Sequence, residues 1–580
     1  MKRHPLHRLS LSIMGNRSSA LENARARLVI LSAAFVLAYL VVAVRLFDLM
    51  ILQGFFLQTD MEEKISAYQS APTHSERRAD ILDRNNVLLA TSLKTSSLYA
   101  DPKLVVDPVG TAKRLSEIFP EESYDVLLQK LQKKGRFVWL KRNLVPDDQS
   151  EVMKIGDPGL AFREEYKRVY PQGELAAHLV GYATQDNKGM AGLERGFDSL
   201  LTKMPDNALR LTLDIRVQHA LRQEIAATID KFSAKAGTGI IMDINSGEVL
   251  AMTSLPDFDP HLNTMPDDQQ LFNRATLGVY ELGSVFKIFT TAALLEKDES
   301  ALSQTFDARE PLKRGRFTIK DYHAEKRVMT VPEVFMVSSN IGTALMGEEL
   351  GTENMKAFYK KLGLFDKPDI ALKEVGSPLY PRPWRDINTL TASYGHGVAV
   401  SPMQLITAVS TVSNGGYKLK PGFVLNEAGT GKKSERVLER LVSEETSKVM
   451  RGLLRLVVTD GTGKNADVEG YEVGGKTGTA EKPGIKGYDK DKLISSFVGV
   501  FPASSPEYAI FVVIDEPKGI KESYGYATAG WTAAPTAGRV VQRMATILGM
   551  PPVEATAEPV EKLLVSQEGA QGLRLRNCRI

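Results

Sequence analysis

The pattern of hydrophobic and polar residues divides the chain into segments of different character. The stretch from Leu28 to Val44 contains 17 residues and no charge, which approaches the roughly 20 apolar residues that a membrane-spanning helix requires. From about residue 208 to 550, short runs rich in β-branched residues alternate with long stretches of helical periodicity. The pattern therefore predicts an N-terminal membrane helix followed by domains that contain both helices and strands.

The charges that precede the apolar run predict its orientation. Six Lys and Arg residues and a single acid, Glu22, lie before it. Because positive residues favour the cytoplasmic side, we expect the N-terminus in the cytoplasm and everything after about residue 50 outside. A cleaved signal peptide is the alternative, but no A-x-A cleavage site follows the run. We therefore expect an uncleaved signal anchor.

Strand-like runs occur at both ends of the C-terminal region. Residues 239–244 are one such run, and residues 496–500 and 508–514 are two others, with long helical patterns between them. This arrangement predicts an α/β domain whose sheet joins early and late strands. The last residues, 551–580, begin with two prolines and are rich in Ala, Glu and Gln, which is typical of a poorly ordered tail.

Composition excludes several classes of function. The 580 residues are 43% hydrophobic and 25% charged, as in ordinary globular proteins, and the net charge of +3 is too small to indicate nucleic-acid binding. The single cysteine, Cys578, rules out a disulfide framework and a thiolate zinc site. The eight histidines show no spacing of metal ligands. His396, between two glycines, fits a structural role as well as a place in a cleft.

The strongest chemical signal is a serine followed three residues later by a lysine. Ser284 comes directly after a glycine, and the apolar pattern that follows predicts a helix whose first turn presents Ser284 and Lys287 on one face. A serine hydroxyl becomes a strong nucleophile when a neighbour takes its proton, and a buried lysine with a lowered pKa can do so. Alone, this motif also fits a helix start with a solvated lysine.

Two further motifs follow along the chain. Ser338 and Asn340 form an S-x-N motif 54 residues after Ser284. The third motif starts at Lys476 and has the sequence Lys-Thr-Gly-Thr at the end of a predicted strand. A strand edge with a cation, two hydroxyls and a glycine suits a peptide that ends in a carboxylate. The cation and hydroxyls would bind the anion while the strand pairs with the peptide backbone.

The three motifs in this order resemble the signature of the penicilloyl serine transferases, which include penicillin-binding proteins and serine β-lactamases. Further blocks resemble class B penicillin-binding proteins, and together they cover roughly residues 75–540. These blocks lie at 78–90, 168–171, 192–194, 211–218, 243–252, 394–397 and 401–404. The chain departs from the family at Leu282, where proline is usual, and at Ala79 and Asn86, where glycines are usual. These departures affect turn geometry and remove no reacting group.

The resemblance implies an α/β (α+β) transpeptidase fold, with helices around a mainly antiparallel sheet, an elongated N-terminal pedestal module and one transmembrane helix. It also implies five segments with separate roles. They are a cytoplasmic tail (1–27), a transmembrane signal anchor (28–50), an N-terminal pedestal or dimerisation module (51–205), a transpeptidase domain (206–550) and a flexible C-terminal tail (551–580). The chain is then a single-pass protein of the inner membrane with a periplasmic catalytic domain.

The resemblance also implies a role for each catalytic residue. Ser284 is expected to be the acyl acceptor and Lys287 the general base. Ser338 is expected to relay a proton to the leaving D-alanine, and Asn340 to bind Lys287 and the substrate amide. Lys476 is expected to support Ser338 and to make the site positive.

Substrate binding is implied for the rest of the third motif. The hydroxyls of Thr477 and Thr479 are expected to hold the substrate carboxylate, with Gly478 between them. The backbone N–H groups of Ser284 and Thr479 are expected to form the oxyanion hole. The resemblance implies no metal and no organic cofactor, and it implies that β-lactams acylate Ser284 as substrate mimics.

The function that the resemblance implies is a peptidoglycan D,D-transpeptidase that cross-links stem peptides ending in D-Ala-D-Ala. Chain length, the short distance from anchor to pedestal and the sequence at 476–480 favour a septal role in cell division. The alternatives are an elongation-type transpeptidase and a β-lactam-binding divisome scaffold or sensor. A β-lactamase, a D,D-carboxypeptidase and a bifunctional class A enzyme fit the N-terminal blocks less well. The implied partners are the membrane, a SEDS-type glycosyltransferase and other divisome membrane proteins, with no nucleic acid.

Overall fold

The structure is a computed structural model that describes residues 20–47, 77–262, 266–425, 436–484 and 487–553. The chain forms two compact units, residues 1–74 and 75–580. Two predicted segments fall largely outside the described residues: the cytoplasmic tail, of which 1–19 are not described, and the C-terminal tail, of which 554–580 with Cys578 are not described.

The described part of the first unit is one helix, α1 (Ala20–Phe47), of 28 residues. Large apolar side chains of this helix are exposed, including those of Leu28, Phe35 and Tyr39. Among the residues that the structure describes, no helix combines the length and the hydropathy of a membrane span. The span predicted at 28–50 therefore stays a prediction.

The N-terminal part of the second unit, residues 77–210, is built on a five-stranded sheet with short helices around it. Its strands are β1 (Ile81–Leu82), β2 (Leu88–Ala100), β3 (Val138–Leu144), β4 (Leu160–Val169) and β5 (Leu209–Arg210), and its helices are α2 (Pro108–Ile118), α3 (Tyr124–Leu131), α4 (Pro146–Met153), α5 (Ala177–Val180), α6 (Gly192–Gly196) and α7 (Asp198–Lys203). The long strand β2 pairs with both β3 and β4 in antiparallel register. Because β1 pairs in parallel with β5, the chain leaves this sheet beside the strand on which it entered.

Three of the blocks that resemble the family meet in one buried ion-pair network. Arg78 donates from Nε to Glu194 at 2.9 Å, and Arg168 donates from Nε to the other oxygen of Glu194 at 2.6 Å. These three side chains are at most 2% exposed. Loss of one partner would leave a buried charge uncompensated, at a cost of about 3–5 kcal/mol. The network therefore holds the segment before β1, the end of β4 and helix α6 together.

The C-terminal part, residues 211–553, contains a second five-stranded sheet, several two-stranded ribbons and most of the helices. Its strands are β6 (Ala236–Asp243), β7 (Val249–Leu255), β8 (Tyr280–Glu281), β9 (Thr305–Asp307), β10 (Leu312–Arg314), β11 (Phe317–Ile319), β12 (Val328–Thr330), β13 (Ala399–Val400), β14 (Tyr417–Leu419), β15 (Val437–Arg440), β16 (Gly474–Gly484), β17 (Gly487–Phe501) and β18 (Tyr508–Asp515). Its helices are α8 (Ile215–Lys231), α9 (Asp268–Leu271), α10 (Lys287–Lys297), α11 (Val331–Val337), α12 (Asn340–Leu350), α13 (Thr352–Lys361), α14 (Asp386–Ser393), α15 (Pro402–Ser413), α16 (Glu444–Thr459) and α17 (Ala533–Leu548).

The large sheet of this part has the strand order β16-β17-β18-β6-β7, and all its pairs are antiparallel. The predicted joining of early and late strands in a mainly antiparallel sheet is thereby confirmed. Helices cover both faces, since side chains alternate along β18: Val512 lies in the core formed with α8 and α17, whereas Phe511 and Val513 lie in the core formed with α10, α15 and α16. The edge strand β16 lies at one side of this three-layered arrangement.

Candidate active site

Ser284 lies on a short 3₁₀ turn, Gly283–Phe286, that leads directly into α10. The sequence predicts Ser284 in the first turn of an α-helix, whereas the α-helix begins at Lys287 and the serine precedes it in a tighter turn. Gly283 has a φ of +59°, and a Cβ atom there would lie 3.0 Å from the carbonyl oxygen of Thr479. Glycine at this position therefore lets the serine turn pack against strand β16.

Lys287 is fully buried and connects the first motif to the second. Its Nζ donates to the backbone oxygen of Ser338 and to Asn340 Oδ1 at 2.8 Å, and it lies 3.1 Å from Ser338 Oγ. Ser338 ends α11 with a φ of 63°, in the left-handed conformation, and Asn340 begins α12. This break between two helices turns both residues toward Lys287.

Lys476 on strand β16 connects the third motif to the same point. It too is fully buried, and its Nζ donates to Ser338 Oγ at 2.9 Å and to the backbone oxygen of Thr477 at 3.3 Å. The Ser338 hydroxyl therefore lies between two lysine amines, and the three motifs converge on this one oxygen.

The pKa values of both lysines are lowered from the ordinary value. Burial lowers the pKa of Lys476 to about 7. Burial also lowers the pKa of Lys287 well below its ordinary value, and the charge of Lys476 lowers it further, against an opposing effect of Asp321. An uncharged Lys287 has two N–H groups for the Ser338 carbonyl and Asn340, and a lone pair for the Ser338 hydroxyl. With Lys476 charged, that hydroxyl would in turn accept from its ammonium, and the site would hold a buried base beside a buried cation.

Strand β16 forms one wall of the site. A Cβ atom on Gly478 would lie 2.3 Å from the carbonyl oxygen of Leu282, so glycine permits this close approach. Thr477 is buried, and its hydroxyl pairs with that of Thr462 at 2.6 Å. Thr479 is exposed, and its hydroxyl accepts a backbone N–H of the loop before α17 at 3.1 Å. Among the described strands β16 pairs only with β17, so it is an edge strand, which is the kind of strand that an extended peptide can pair with.

Asp321 is a site residue that sequence reasoning missed. Its Oδ1 accepts the backbone N–H groups of Asn340 at 2.5 Å and Ile341 at 2.9 Å, and its Oδ2 accepts the Ser339 hydroxyl at 2.8 Å. Asp321 follows β11, some way before the motif that it binds, and no local pattern distinguishes it from a solvated loop acid. Its carboxylate fixes the start of α12 and thereby the position of Asn340 beside Lys287.

The structure brings the predicted site residues into one region formed by the serine turn, α10, the break between α11 and α12, and β16. These residues are Ser284, Lys287, Ser338, Asn340, Lys476, Thr477, Gly478 and Thr479. The hydroxyl of Ser284 is not among the hydrogen-bond partners of Lys287. Such a contact commonly forms only when substrate aligns the groups. Within the described ranges, no group of three or more His, Cys, Asp or Glu residues could hold a metal ion.

Two family models match the chain. The model of the penicillin binding protein transpeptidase domain matches residues 237–538, and the model of the penicillin-binding protein dimerisation domain matches residues 73–202. The first match spans more than half of the chain and includes all three motifs.

Similar proteins are named as peptidoglycan D,D-transpeptidases. The probable peptidoglycan D,D-transpeptidase FtsI of Caulobacter vibrioides is 38% identical over 488 residues, with 82% of each chain covered. The peptidoglycan D,D-transpeptidase FtsI of Escherichia coli K12 is 29% identical, with 86% of this chain and 88% of that one covered. A peptidoglycan synthetase structure from Bifidobacterium adolescentis matches with a TM-score of 0.67 over 84% of this chain and 98% of its own. At 21% identity this match shows the fold.

The pKa of Lys476 predicts the pH dependence of acylation. The second-order rate constant for acylation by a penicillin should rise with pH as Lys287 loses its proton, and fall again above about pH 7 as Lys476 loses its charge. In Lys476→Arg the guanidinium stays charged, so the alkaline limb should disappear.

The matched control for that profile is Lys482→Arg on the same strand, where the lysine pairs with Asp515 and Glu516. The control should keep the wild-type profile. An alkaline limb that persists unchanged in Lys476→Arg would show that Lys476 is not the group that titrates.

The contacts of Asp321 predict that Asp321→Ala slows acylation by about tenfold or more, because three hydrogen bonds that position Asn340 are lost. The measurement is the rate of labelling by a fluorescent penicillin, with the thermal midpoint as a check of folding. Asp307→Ala, which removes an exposed carboxylate paired with Arg309, should label at the wild-type rate. Wild-type labelling of Asp321→Ala would contradict the positioning role.

Proposed function

This chain belongs to the class B penicillin-binding proteins and is a peptidoglycan D,D-transpeptidase, and we propose that Ser284 is the nucleophile of its reaction. The observation that supports this assignment most is the position of the Ser338 hydroxyl between the amines of Lys287 and Lys476. Such an arrangement supplies a base and a proton relay next to a serine at a turn, which is what an acyl-serine mechanism requires.

In the proposed acylation step, Ser284 Oγ attacks the carbonyl carbon of the D-Ala-D-Ala bond and gives its proton to Lys287 Nζ. The Ser338 hydroxyl gives its own proton to the leaving D-alanine nitrogen and receives one from Lys287, so the net transfer is from serine to leaving group. Backbone N–H groups of Ser284 and Thr479 stabilise the oxyanion of the tetrahedral intermediate. The close packing of Gly283 against Thr479 supports this pairing of donors.

We propose that the substrate carboxylate binds at Thr477 and Thr479, in the positive potential of Lys476. The exposed hydroxyl of Thr479 and the edge strand β16 support this assignment, since a peptide paired with that edge ends beside the hydroxyl. Thr477 would exchange its contact with Thr462 for one with the carboxylate. Gly478 keeps the strand near the serine turn. An amine of a second stem peptide then attacks the acyl-serine and forms the cross-link.

The nucleophile is tested by incubating the full-length chain with a fluorescent penicillin, followed by denaturing gel electrophoresis and a chase. Wild type should form a stable adduct, and Ser284→Ala should form none, because the ester oxygen is gone. Ser300→Ala, at an exposed serine beyond α10 that hydrogen-bonds to Asp298, is the matched control and should label normally.

Other outcomes of the labelling experiment have distinct meanings. Labelling that survives in Ser284→Ala would contradict the assignment of the nucleophile. An adduct that disappears within seconds while the drug is consumed would favour a hydrolase. No labelling of the folded wild-type chain would favour the alternative of a scaffold without turnover.

We propose the domain limits 51–205 for the pedestal and 206–550 for the transpeptidase domain, with a cytoplasmic tail at 1–27 and a C-terminal tail at 551–580. The two family matches, 73–202 and 237–538, fall inside the first two of these limits and support the division. Limited proteolysis that cut first inside either module, rather than in the end segments, would contradict it.

We also propose that residues 28–50 anchor the chain in the inner membrane, with the catalytic domain in the periplasm. The uncharged run 28–44 and the six preceding basic residues support this orientation. Exposed apolar side chains on α1, such as Phe35 and Tyr39, fit a lipid environment. At this location the proposed partners are a SEDS-type glycosyltransferase and other divisome membrane proteins, and the proposed role is septal synthesis.

Cys578, the single cysteine, allows orientation and septal role to be tested together. A membrane-impermeant maleimide dye, applied to cells with a permeabilised outer envelope, should label the full-length chain at the division site. Cys578→Ser cells are the control for background. Sidewall signal would favour the elongation alternative, and absence of signal from a full-length chain would contradict the orientation.

The labelled chain, extracted in mild detergent, should retain a glycosyltransferase, and its purification without one would count against that partner.

A further inference from the structure

A second group of polar side chains lies next to the serine turn. Tyr488, near the start of β17, donates its hydroxyl to both carboxylate oxygens of Glu281, each at 3.1 Å. The His396 ring packs on the Tyr488 ring with centroids 4.4 Å apart, and its Nδ1 lies 3.8 Å from Glu281. We call Glu281, His396 and Tyr488 the carboxylate cluster; none of them has a role in the acylation described above.

The carboxylate cluster is fixed to the serine turn by backbone contacts. Glu281 ends strand β8, three residues before Ser284, and pairs with Ala399 of β13. A Cβ atom on Gly395 would lie 2.1 Å from the carbonyl oxygen of Gly283, so the segment that holds His396 is packed directly on the turn. Tyr488 comes from the strand that pairs with β16. The cluster therefore lies next to the segment that carries the nucleophile.

Glu281 has an unusual charge environment for a carboxylate of low exposure. Its side chain is 17% exposed, and within the described residues its only ion-pair partner is His396, with no Lys or Arg. By contrast, Glu194, Glu248 and Asp515, which are also poorly exposed, each pair with Lys or Arg. A partly buried carboxylate without a strong cation retains an unsatisfied preference for one.

The charge of Glu281 acts on the neighbouring phenol of Tyr488. Burial raises the pKa of the Tyr488 phenol, and the charges of Glu281 and Glu481 raise it further. The phenol therefore stays protonated and remains a donor to Glu281. Two groups of opposite preferred charge therefore flank the segment of Ser284: the amine of Lys476 on β16 and the carboxylate of Glu281 on β8.

We propose that Glu281 binds the primary ammonium of the acceptor peptide, and so selects a cationic amine as the group that resolves the acyl-enzyme. This inference rests on the proposed function and extends it to the second substrate. The donor peptide places its anion toward Lys476 in the first step, and the acceptor places its cation at Glu281 in the second. His396 lines the same subsite, with a side chain that is 44% exposed.

The chemical step requires the bound amine to lose charge before it attacks. The ammonium releases one proton to water in the open cleft, and the neutral nitrogen forms a C–N bond with the acyl carbon. The C–O bond to Ser284 breaks, and the second proton of the amine passes to Ser284 Oγ. The products are an amide, a free serine and one proton, with no change of oxidation state.

The test uses the full-length chain and a D-alanyl thioester as acyl donor, so that release of thiol reports acylation. Chromatography then measures the ratio of aminolysis to hydrolysis with two amines at neutral pH. Glycinamide is cationic under these conditions, and hydroxylamine is uncharged. Glu281→Gln keeps an oxygen that accepts from Tyr488 but removes the negative charge. Its aminolysis ratio should fall about tenfold with glycinamide and change less than about twofold with hydroxylamine.

The control variant is Glu296→Gln, at the far end of α10, where the glutamate accepts hydrogen bonds from Ser443. It should leave both ratios unchanged. Equal losses with both amines in Glu281→Gln would mean that the carboxylate only positions the turn, and unchanged ratios would mean that it has no part in acceptor binding. Either result overturns the proposal. Penicillin labelling of the same samples separates these failures from failure of the proposed function, since a wild-type chain that is not labelled would overturn both.

Discussion

The structure of the site depends on the burial of two lysines around one serine hydroxyl. A buried ammonium is costly unless its donors are all used, and two of them close together repel each other. The Ser338 hydroxyl resolves both problems, because it can donate to an uncharged Lys287 while it accepts from a charged Lys476. The general base of the proposed mechanism is therefore a consequence of packing, and it exists only while three distant segments remain in contact.

The rest of the catalytic domain holds these segments in place. Helix α10 is buried along most of its length, and β16 is the edge of a sheet that is covered on both faces, so neither can shift without opening a core. Gly283 and Gly478 permit the serine turn and β16 to approach within the distance that the lysines need. Asp321 fixes the third segment by hydrogen bonds to the start of α12.

Much of this arrangement could be predicted from the sequence because order and spacing encode the chemistry. The motifs at Ser284, Ser338 and Lys476 predicted which residues come together at the site, and β-branched runs predicted strands of the large sheet. Asp321 could not be found in this way, because its role depends on a loop that folds back onto a distant helix start. The carboxylate cluster was missed as a group for the same reason. Glu281 lies on β8, Tyr488 lies on β17 and His396 lies in the turn after α14, so no local periodicity connects them.

The protonation of the two buried lysines is the property on which the mechanism rests most directly. It can be measured in the full-length chain by NMR of ¹³C-labelled lysine side chains, with Lys287→Arg and Lys476→Arg variants to assign the signals. Lys287 is expected to be an uncharged amine at neutral pH, and Lys476 to titrate at about pH 7. A Lys287 signal that remains that of an ammonium up to about pH 10, the ordinary range for lysine, would contradict the proposed base.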